Sequence, residues 1–254
     1  MSLSGKTVIV TGGATGIGAV YSAALVREGA VVYVADIADG TSLAAELSLQ
    51  GSGRAVYVRT DVGAEEAVRT LVATVVKERG GIDVLINNAA LFATLEPTPY
   101  DRIDLDLWDR VMRVNLAGAF LLCKHVGPHM AARGAGRIVN IGSGTSIKGH
   151  PGMLHYVASK GAITALTRTL ARELGEHNVV VNMLSPGFTL SDTVVNDNPG
   201  LVDVARAPSV ATRSIRRDMY PDDLVGALLF LASDASGGFL TGQTLLVDGG
   251  QLNT

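Results

Sequence analysis

Short, almost continuously apolar runs rich in β-branched residues alternate along this chain with longer segments of helical period. The runs are Thr7–Val10, Val31–Val34, Ala55–Val58, Val84–Ile86, Arg137–Ile141, Val179–Val181 and Thr244–Val247. Runs with so few polar positions fit strands buried on both faces, as in a parallel sheet, better than half-exposed antiparallel strands. Between them, Leu43, Ala44 and Leu47, and later Val68, Leu71, Val72, Val75 and Val76, recur at helical spacing, with Arg, Glu and Lys on the opposite face. The alternation predicts a doubly wound α/β fold: a seven-stranded parallel sheet with helices on both faces. No Pro/Ser-rich linker, charge block or repeat divides the 254 residues, so residues 1–254 read as a single domain. One stretch, Phe188 to Arg217, lacks a clean period and contains Pro199-Gly200 and Pro208. Long irregular segments inside compact domains are usually functional, and 188–217 is read as a substrate lid.

Composition removes several alternatives. Twenty-one Lys and Arg against 24 Asp and Glu give a net charge of −3, with no basic excess for nucleic-acid phosphates or an anionic membrane. Thr7 to Val26 is free of charge, but Gly12, Gly13, Gly16 and Gly18 make it a poor helix in lipid. A single cysteine, Cys123, allows neither an internal disulfide nor a thiolate zinc cluster, and its neighbours Phe120, Leu121 and Leu122 assign it to the core. His125 and His129 lie four apart, but Pro128 weakens the helix between them and no acidic residue is adjacent in sequence; no metal is expected. Arg213, Arg216 and Arg217 read as a solvated charge run. The expectation is a cytoplasmic protein with a small-molecule substrate.

The segment Thr11-Gly12-Gly13-Ala14-Thr15-Gly16-Ile17-Gly18 follows the first strand and opens a helix. Glycines there permit a tight turn and close backbone approach. The helix N-terminus offers unpaired N–H groups and partial positive charge to a pyrophosphate. The spacing is G-x-x-x-G-x-G, not the commoner G-x-G-x-x-G. Asp36 ends the second strand, where a carboxylate can bond both hydroxyls of an adenosine ribose. Ala14, Thr15, Ile37 and Ala38 are the nearby positions from which a base could have received a 2′-phosphate, and none is basic, which favours NAD over NADP.

Tyr156 and Lys160 stand four apart in a helical pattern, which puts phenol and ammonium on one side of the helix. Ser143 ends the fifth strand, at the sheet edge that borders the ligand crevice in such folds. These groups suit alcohol–ketone redox chemistry: hydride passes between a carbinol carbon and a nicotinamide while a base takes the hydroxyl proton. A free phenol with a pKa of about 10 is about one part in a thousand ionised at pH 7. Lowering that pKa by three requires about 4 kcal/mol of preferential phenolate stabilisation. Lys160 and an oxidised nicotinamide are suitable sources, and the serine hydroxyl can hold the substrate oxygen.

Together with Asn87-Asn88-Ala89-Ala90, Asn115, Ser185-Pro186-Gly187 and the ending Thr241-Gly242-Gln243…Val247-Asp248-Gly249-Gly250, these motifs resemble the short-chain dehydrogenase/reductases over essentially the whole chain. The resemblance implies a seven-stranded Rossmann fold, nicotinamide-dependent oxidoreduction at CH–OH groups, and a homotetramer or dimer. It implies Tyr156 as acid/base, Lys160 as ribose-binding cation, Ser143 as the group orienting substrate, and Asn115 in a water relay to Lys160. Asp61 and Val62 would meet the adenine, Asn88 and Ala89 would pass under the cofactor, and Pro186, Gly187 and Thr189 would face the nicotinamide. Gly12, Thr15, Gly16, Ile17, Gly18, Asp36 and Ile37 complete the expected cofactor contacts. Two departures stand out: Ala90 occupies a usual glycine position, and Gly142 and Gly144 flank Ser143 where serines are common. Thr145, His150, Met153, Phe188 and Leu190 are the expected substrate-pocket residues. The expected function is an NAD(H)-dependent interconversion of a secondary alcohol and a ketone. The alternatives are an NADPH-dependent 3-oxoacyl thioester reductase and a non-catalytic nucleotide-binding regulator.

Overall fold

The computed structural model describes residues 3–233 and 238–252. Seven parallel strands form one sheet in the order β3-β2-β1-β4-β5-β6-β7. The strands are β1 (Thr7–Thr11), β2 (Val31–Asp36), β3 (Arg54–Arg59), β4 (Val84–Asn87), β5 (Gly136–Ile141), β6 (Val179–Pro186) and β7 (Thr244–Val247). The helices are α1 (Gly16–Arg27), α2 (Thr41–Gln50), α3 (Glu65–Arg79), α4 (Leu105–Met112), α5 (Gly118–Arg133), α6 (Thr145–Lys148), α7 (Leu154–Gly175), α8 (Asp192–Asp197), α9 (Pro199–Thr212) and α10 (Asp222–Ala232). All seven apolar runs are strands. β6 continues five residues past its run, because the Asn182 side chain finds protein partners in place of water: it donates to Leu240 O (2.6 Å) and accepts from Gln243 N (3.0 Å).

Alternate strand residues feed two cores. Val8, Val10, Val32, Val34, Val84, Ile86 and Val139 pack with Tyr21 and Leu25 of α1 and with Leu224, Leu228 and Leu231 of α10. Ile9, Tyr33, Leu85, Ile138 and Val181 pack on the other face with Leu71 and Val75 of α3 and with Leu122 and Val126 of α5. Burying each large aliphatic side chain stabilises the fold by about 1.5–3 kcal/mol. That outweighs the roughly 1 kcal/mol that each glycine costs a helix, so α1 forms despite Gly16 and Gly18 because Tyr21, Leu25 and Val26 are buried.

Strand order reverses between β1 and β4, and the crevice at their carboxyl ends is the ligand-binding position of such sheets. The segment from Phe188 to Arg217 crosses above that end. It is not irregular as expected, because local caps order it. Ser191 accepts from Val194 N (3.3 Å) to start α8, and Asn198 accepts from Leu201 N (3.0 Å) to start α9, with Pro199 in its first turn.

Candidate active site

Polar ties fix the carboxyl ends of β1 and β4 to each other. Thr11 Oγ1 accepts from Asn88 N (3.0 Å) and Ala89 N (3.1 Å), while Asn88 Nδ2 donates to Thr11 O and Gly12 O, both at 3.0 Å. Gly12 sits at φ +59°, and a Cβ on Gly18 would lie 1.9 Å from Gly12 O, so the loop can close this tightly only with glycine at both positions. Thr15 precedes α1 without a side-chain cap, and the first intrahelical bond joins Ala19 N to Thr15 O (3.1 Å). The amides of Gly16, Ile17 and Gly18 are therefore the open donors of a helix N-terminus, suited to an anionic group. Asp36, buried at the end of β2, accepts from Ala14 N and Ala38 N, each at 3.0 Å. A carboxylate has about four acceptor directions, so two remain for the cavity that Asp36 lines. Arg59 stands opposite Asp36 in the β2–β3 register, a base that the sequence reading did not consider, but it does not line that cavity.

The cavity has a volume of about 520 Å³. It gathers Gly12, Thr15, Gly16, Ile17, Gly18, Asp36, Ile37, Asp61, Val62, Asn88 and Ala89 with Ser143, Tyr156, Lys160, Pro186, Gly187 and Thr189. Thr145, His150, Met153 and Phe188 line it too. Leu190 does not: the chain turns there to pair Leu190 N with Met219 O (2.8 Å), which takes its side chain off the wall. Asn115 lies behind the wall, in a π-helical turn (Arg113–Ala117) between α4 and α5. Its side chain accepts from Leu91 N (2.7 Å) and donates to Leu91 O (3.2 Å) and Ser159 Oγ (3.1 Å). Asn115 and Lys160 share a separate internal cavity of about 10 Å³, close to the room that a single water needs.

Ser143, Tyr156 and Lys160 are all buried. Ser143 Oγ is 2.9 Å from Thr145 Oγ1, and Lys160 Nζ donates to Ile141 O (2.7 Å) while standing 5.8 Å from the centre of the Tyr156 ring. Burial pushes the Tyr156 phenol up to about 12, with the Ser143 hydroxyl pulling the other way. Burial also pushes Lys160 down to about 8. The expected acidification draws on Lys160 together with an oxidised nicotinamide; in the protein alone, burial raises the phenol. Burial is the larger effect and the Ser143 hydroxyl the opposing one, so in the protein without cofactor the balance favours the proton-bearing phenol.

Several residues escaped the sequence reading. Phe92 packs on Tyr156 with ring centroids 4.8 Å apart, and Leu91, Phe92 and Ala93 all line the cavity. Their signal was their position just after the β4 motif. Leu201, Val204, Pro208 and Thr212 of α9 close the far side, together with Gln251. Arg213 is not solvated as expected: it is buried and donates to Phe188 O (2.5 Å) and Arg217 O (2.8 Å), tying the two ends of the 188–217 segment together. Arg217 pairs with Asp223. His125 has an acidic partner from a distant helix, Glu65, at 3.0 Å. No group of three or more potential metal-ligating side chains occurs among the described residues, and no helix among them is long and apolar enough to cross a membrane.

A doubly wound sheet with a glycine cradle at its switch point and a buried Ser–Tyr–Lys set beside it defines a nicotinamide-dependent oxidoreductase. A family model described as short chain dehydrogenase matches residues 6–201, and the chain belongs to the short-chain dehydrogenase/reductase family, whose members act on alcohol and ketone groups. It is 36% identical to a cis-4-hydroxycyclohexanecarboxylate dehydrogenase of Sinomonas cyclohexanicum, with 96% of each chain covered. It is 34% identical to a 3-oxoacyl-[acyl-carrier-protein] reductase of Synechocystis sp., covering 99% of this chain and 98% of that one. Among solved structures, an NAD(P) dependent gluconate 5-dehydrogenase from Beutenbergia cavernae with bound NADP superimposes with a TM-score of 0.89 at 35% identity, covering 98% of each chain.

Proposed function

We propose that the protein interconverts a compact secondary alcohol and its ketone, with NAD as the hydride carrier and Tyr156 as the proton-transferring group. The observation that carries this reading is that Ser143, Tyr156 and Lys160, all buried, converge on one cavity whose other end holds the glycine cradle and Asp36. The residues present fit a dinucleotide: Gly12, Gly16 and Gly18 keep the cradle free of side chains, and the first amides of α1 are open. Asp36 would hold the adenosine ribose, Asp61, Val62 and Ile37 the adenine side, Asn88 and Ala89 the underside, and Pro186, Gly187 and Thr189 the nicotinamide end. When bound, the cofactor exchanges the hydride and, in its oxidised form, adds a positive charge beside Tyr156.

Ser143 Oγ orients the substrate oxygen. Tyr156 carries its proton in the unliganded site, which is the form that a reduction requires, since the phenol O–H donates to the ketone oxygen as it becomes an alkoxide. In oxidation the same oxygen must accept the carbinol proton, so the phenolate has to be stabilised by Lys160 and the oxidised cofactor together. Lys160, Asn115 and the small cavity between them support a water-relayed path for that proton. The walls contributed by Phe92, Met153, Phe188 and α9 exclude water from the reacting oxygen.

Asp36 supports NAD over NADP, because a 2′-phosphate would meet a buried carboxylate with no base on the cavity wall beside it. The likeness to a 3-oxoacyl-[acyl-carrier-protein] reductase favours a second reading, reduction of acyl thioesters with NADPH. Initial rates with NADH and NADPH on a panel of alicyclic and linear alcohols, ketones and 3-oxoacyl thioesters separate the two. The panel includes 4-hydroxycyclohexanecarboxylate, after the relative that this chain resembles. With a turned-over substrate, Tyr156→Phe lowers kcat by about a thousandfold, within the range general acid–base catalysis supplies, and leaves cofactor affinity within a few-fold. Retention of turnover by that variant refutes the role of Tyr156. A cytoplasmic homotetramer is proposed as the working form, with subunit contacts on α4, α5 and α7, where Leu105, Phe120 and Leu154 are exposed. Light scattering of the purified protein tests the assembly.

A further inference from the structure

The ionisable groups on the cavity wall are divided by sign. Its carboxylates, Asp36 and Asp61, follow β2 and β3 at the adenosine end. Beyond Ser143 and Tyr156 the charged or titratable groups are Lys148 and His150, with no acidic residue on that part of the wall. Lys148 ends the single helical turn α6, five residues after Ser143, about 7–8 Å further along at the rise of a helix. Its ammonium makes no hydrogen bond and no ion pair among the described residues. The carboxylate that acts on it electrostatically, Asp248, is buried and already accepts from Gly250 N (2.9 Å), Gln251 N (3.1 Å) and Leu252 N (3.0 Å). Although Lys148 is exposed as a residue, the surrounding wall desolvates its ammonium enough to lower its pKa, and Arg213 pushes in the same direction. His150 Nδ1 lies 2.9 Å from Pro151 O; donating there leaves Nε2 free as a second polar contact.

Lys148 is exposed and its ammonium remains hydrated, so its place on the wall beyond Ser143 and Tyr156, with no carboxylate lining that part, leaves it available to an anionic group of a ligand. We propose that the substrate carries a carboxylate remote from its carbinol carbon, and that Lys148 at the end of α6 receives it while Ser143 and Tyr156 hold the reacting oxygen. This inference rests on the proposed function and names the substrate class of the same site. One lysine and one imidazole, without arginines or a helix N-terminus, match a single negative charge better than a phosphate dianion. The pairing fixes the orientation of an otherwise apolar substrate, so that one face of the carbinol carbon is presented to the cofactor.

The test is calorimetric titration of the enzyme saturated with reduced cofactor, so that an alcohol binds without turning over. The ligands are 4-hydroxycyclohexanecarboxylate, its methyl ester and cyclohexyl phosphate. The acid is expected to bind about tenfold more tightly than the ester, the usual worth of a charge-assisted contact. Lys148→Met removes that difference, Lys148→Arg keeps it, and Lys77→Met, on exposed α3 surface, keeps it. Equal affinity for acid and ester, no binding of the acid, a preference that survives Lys148→Met, or tighter binding of the phosphate than of the acid overturns the proposal. The outcome is separable from that of the parent reading. Turnover of neutral alcohols without an acid preference refutes only the role of Lys148. A carboxylate bound through Lys148 in an enzyme that oxidises no alcohol refutes only the redox assignment.

Discussion

Replacing Lys160 by methionine is expected to stabilise the protein and abolish its turnover. Lys160 is 3% exposed, and burial lowers its pKa from 10.5 to about 8. At 1.36 kcal/mol per pKa unit, keeping it charged in the folded state at pH 7 costs about 3 kcal/mol. The bond it gives Ile141 O offsets about 1 kcal/mol of this in a neutral-pH comparison, leaving a net gain of about 2 kcal/mol for the variant. A chain of this size moves by about 2–4 °C per kcal/mol, so the apparent Tm at pH 7 should rise by about 4–8 °C. The sign of the pH dependence follows from the depressed folded pKa. Below about 8 both folded and unfolded lysine carry the proton and the penalty is complete. Between about 8 and 10.5 the folded protein releases its proton first, so the wild type gains stability with rising pH. Above 10.5 the penalty has vanished. Parallel thermal unfolding of wild type and Lys160→Met from pH 6.5 to 10.5 should show the two curves converging across that window. A variant no more stable than wild type at pH 7, or an advantage that does not shrink towards pH 10, refutes the claim that folding pays to bury this charge for function.

Gly18→Ala should destabilise the fold by about 2 kcal/mol or more, since the new methyl would have to displace the Gly12 carbonyl, which is backbone; titration of NADH fluorescence should show a matching loss, and a Kd within twofold of wild type would contradict it. Asp36→Asn removes the charge that faces a 2′-phosphate, and the ratio of kcat/KM with NADP to that with NAD should rise by about ten- to hundredfold, measured by initial rates with both nucleotides. Ser191→Ala deletes the cap of α8; a loss of about 1 kcal/mol should speed amide exchange over residues 192–197 about fivefold and leave the exchange of β4 unchanged.

Much of the site was legible because it is built from short-range geometry. Tyr156 and Lys160 are one helical turn apart, and the glycines around α1 are demanded by a turn that any strand-to-helix connection of this tightness needs. The strands could be read because a sheet covered on both faces tolerates few polar positions, so its composition betrays it. β6 ran furthest past its apolar signal, where Asn182 is buried by partners that the local sequence does not contain. The order within 188–217 was missed although its caps, Ser191 and Asn198 before Pro199, lay in plain view: the two prolines masked the helical period.

What the sequence by itself determined is the alternation of strands and helices, the glycine cradle, and the facing pair of phenol and ammonium, since each follows from backbone sterics or from the period of a single element. Only the tertiary structure decided that Phe92 packs on Tyr156, that Arg213 is buried, that Leu190 turns from the cavity, and that Lys148 stands on its wall without an anion. It also decided that burial is the leading influence on both Tyr156 and Lys160 in the protein without cofactor. Whether a phenol is acidified by a neighbouring ammonium or held neutral by burial depends on how much water remains around both. Hydration is set by every element packed about the pair, and no local stretch of sequence encodes it.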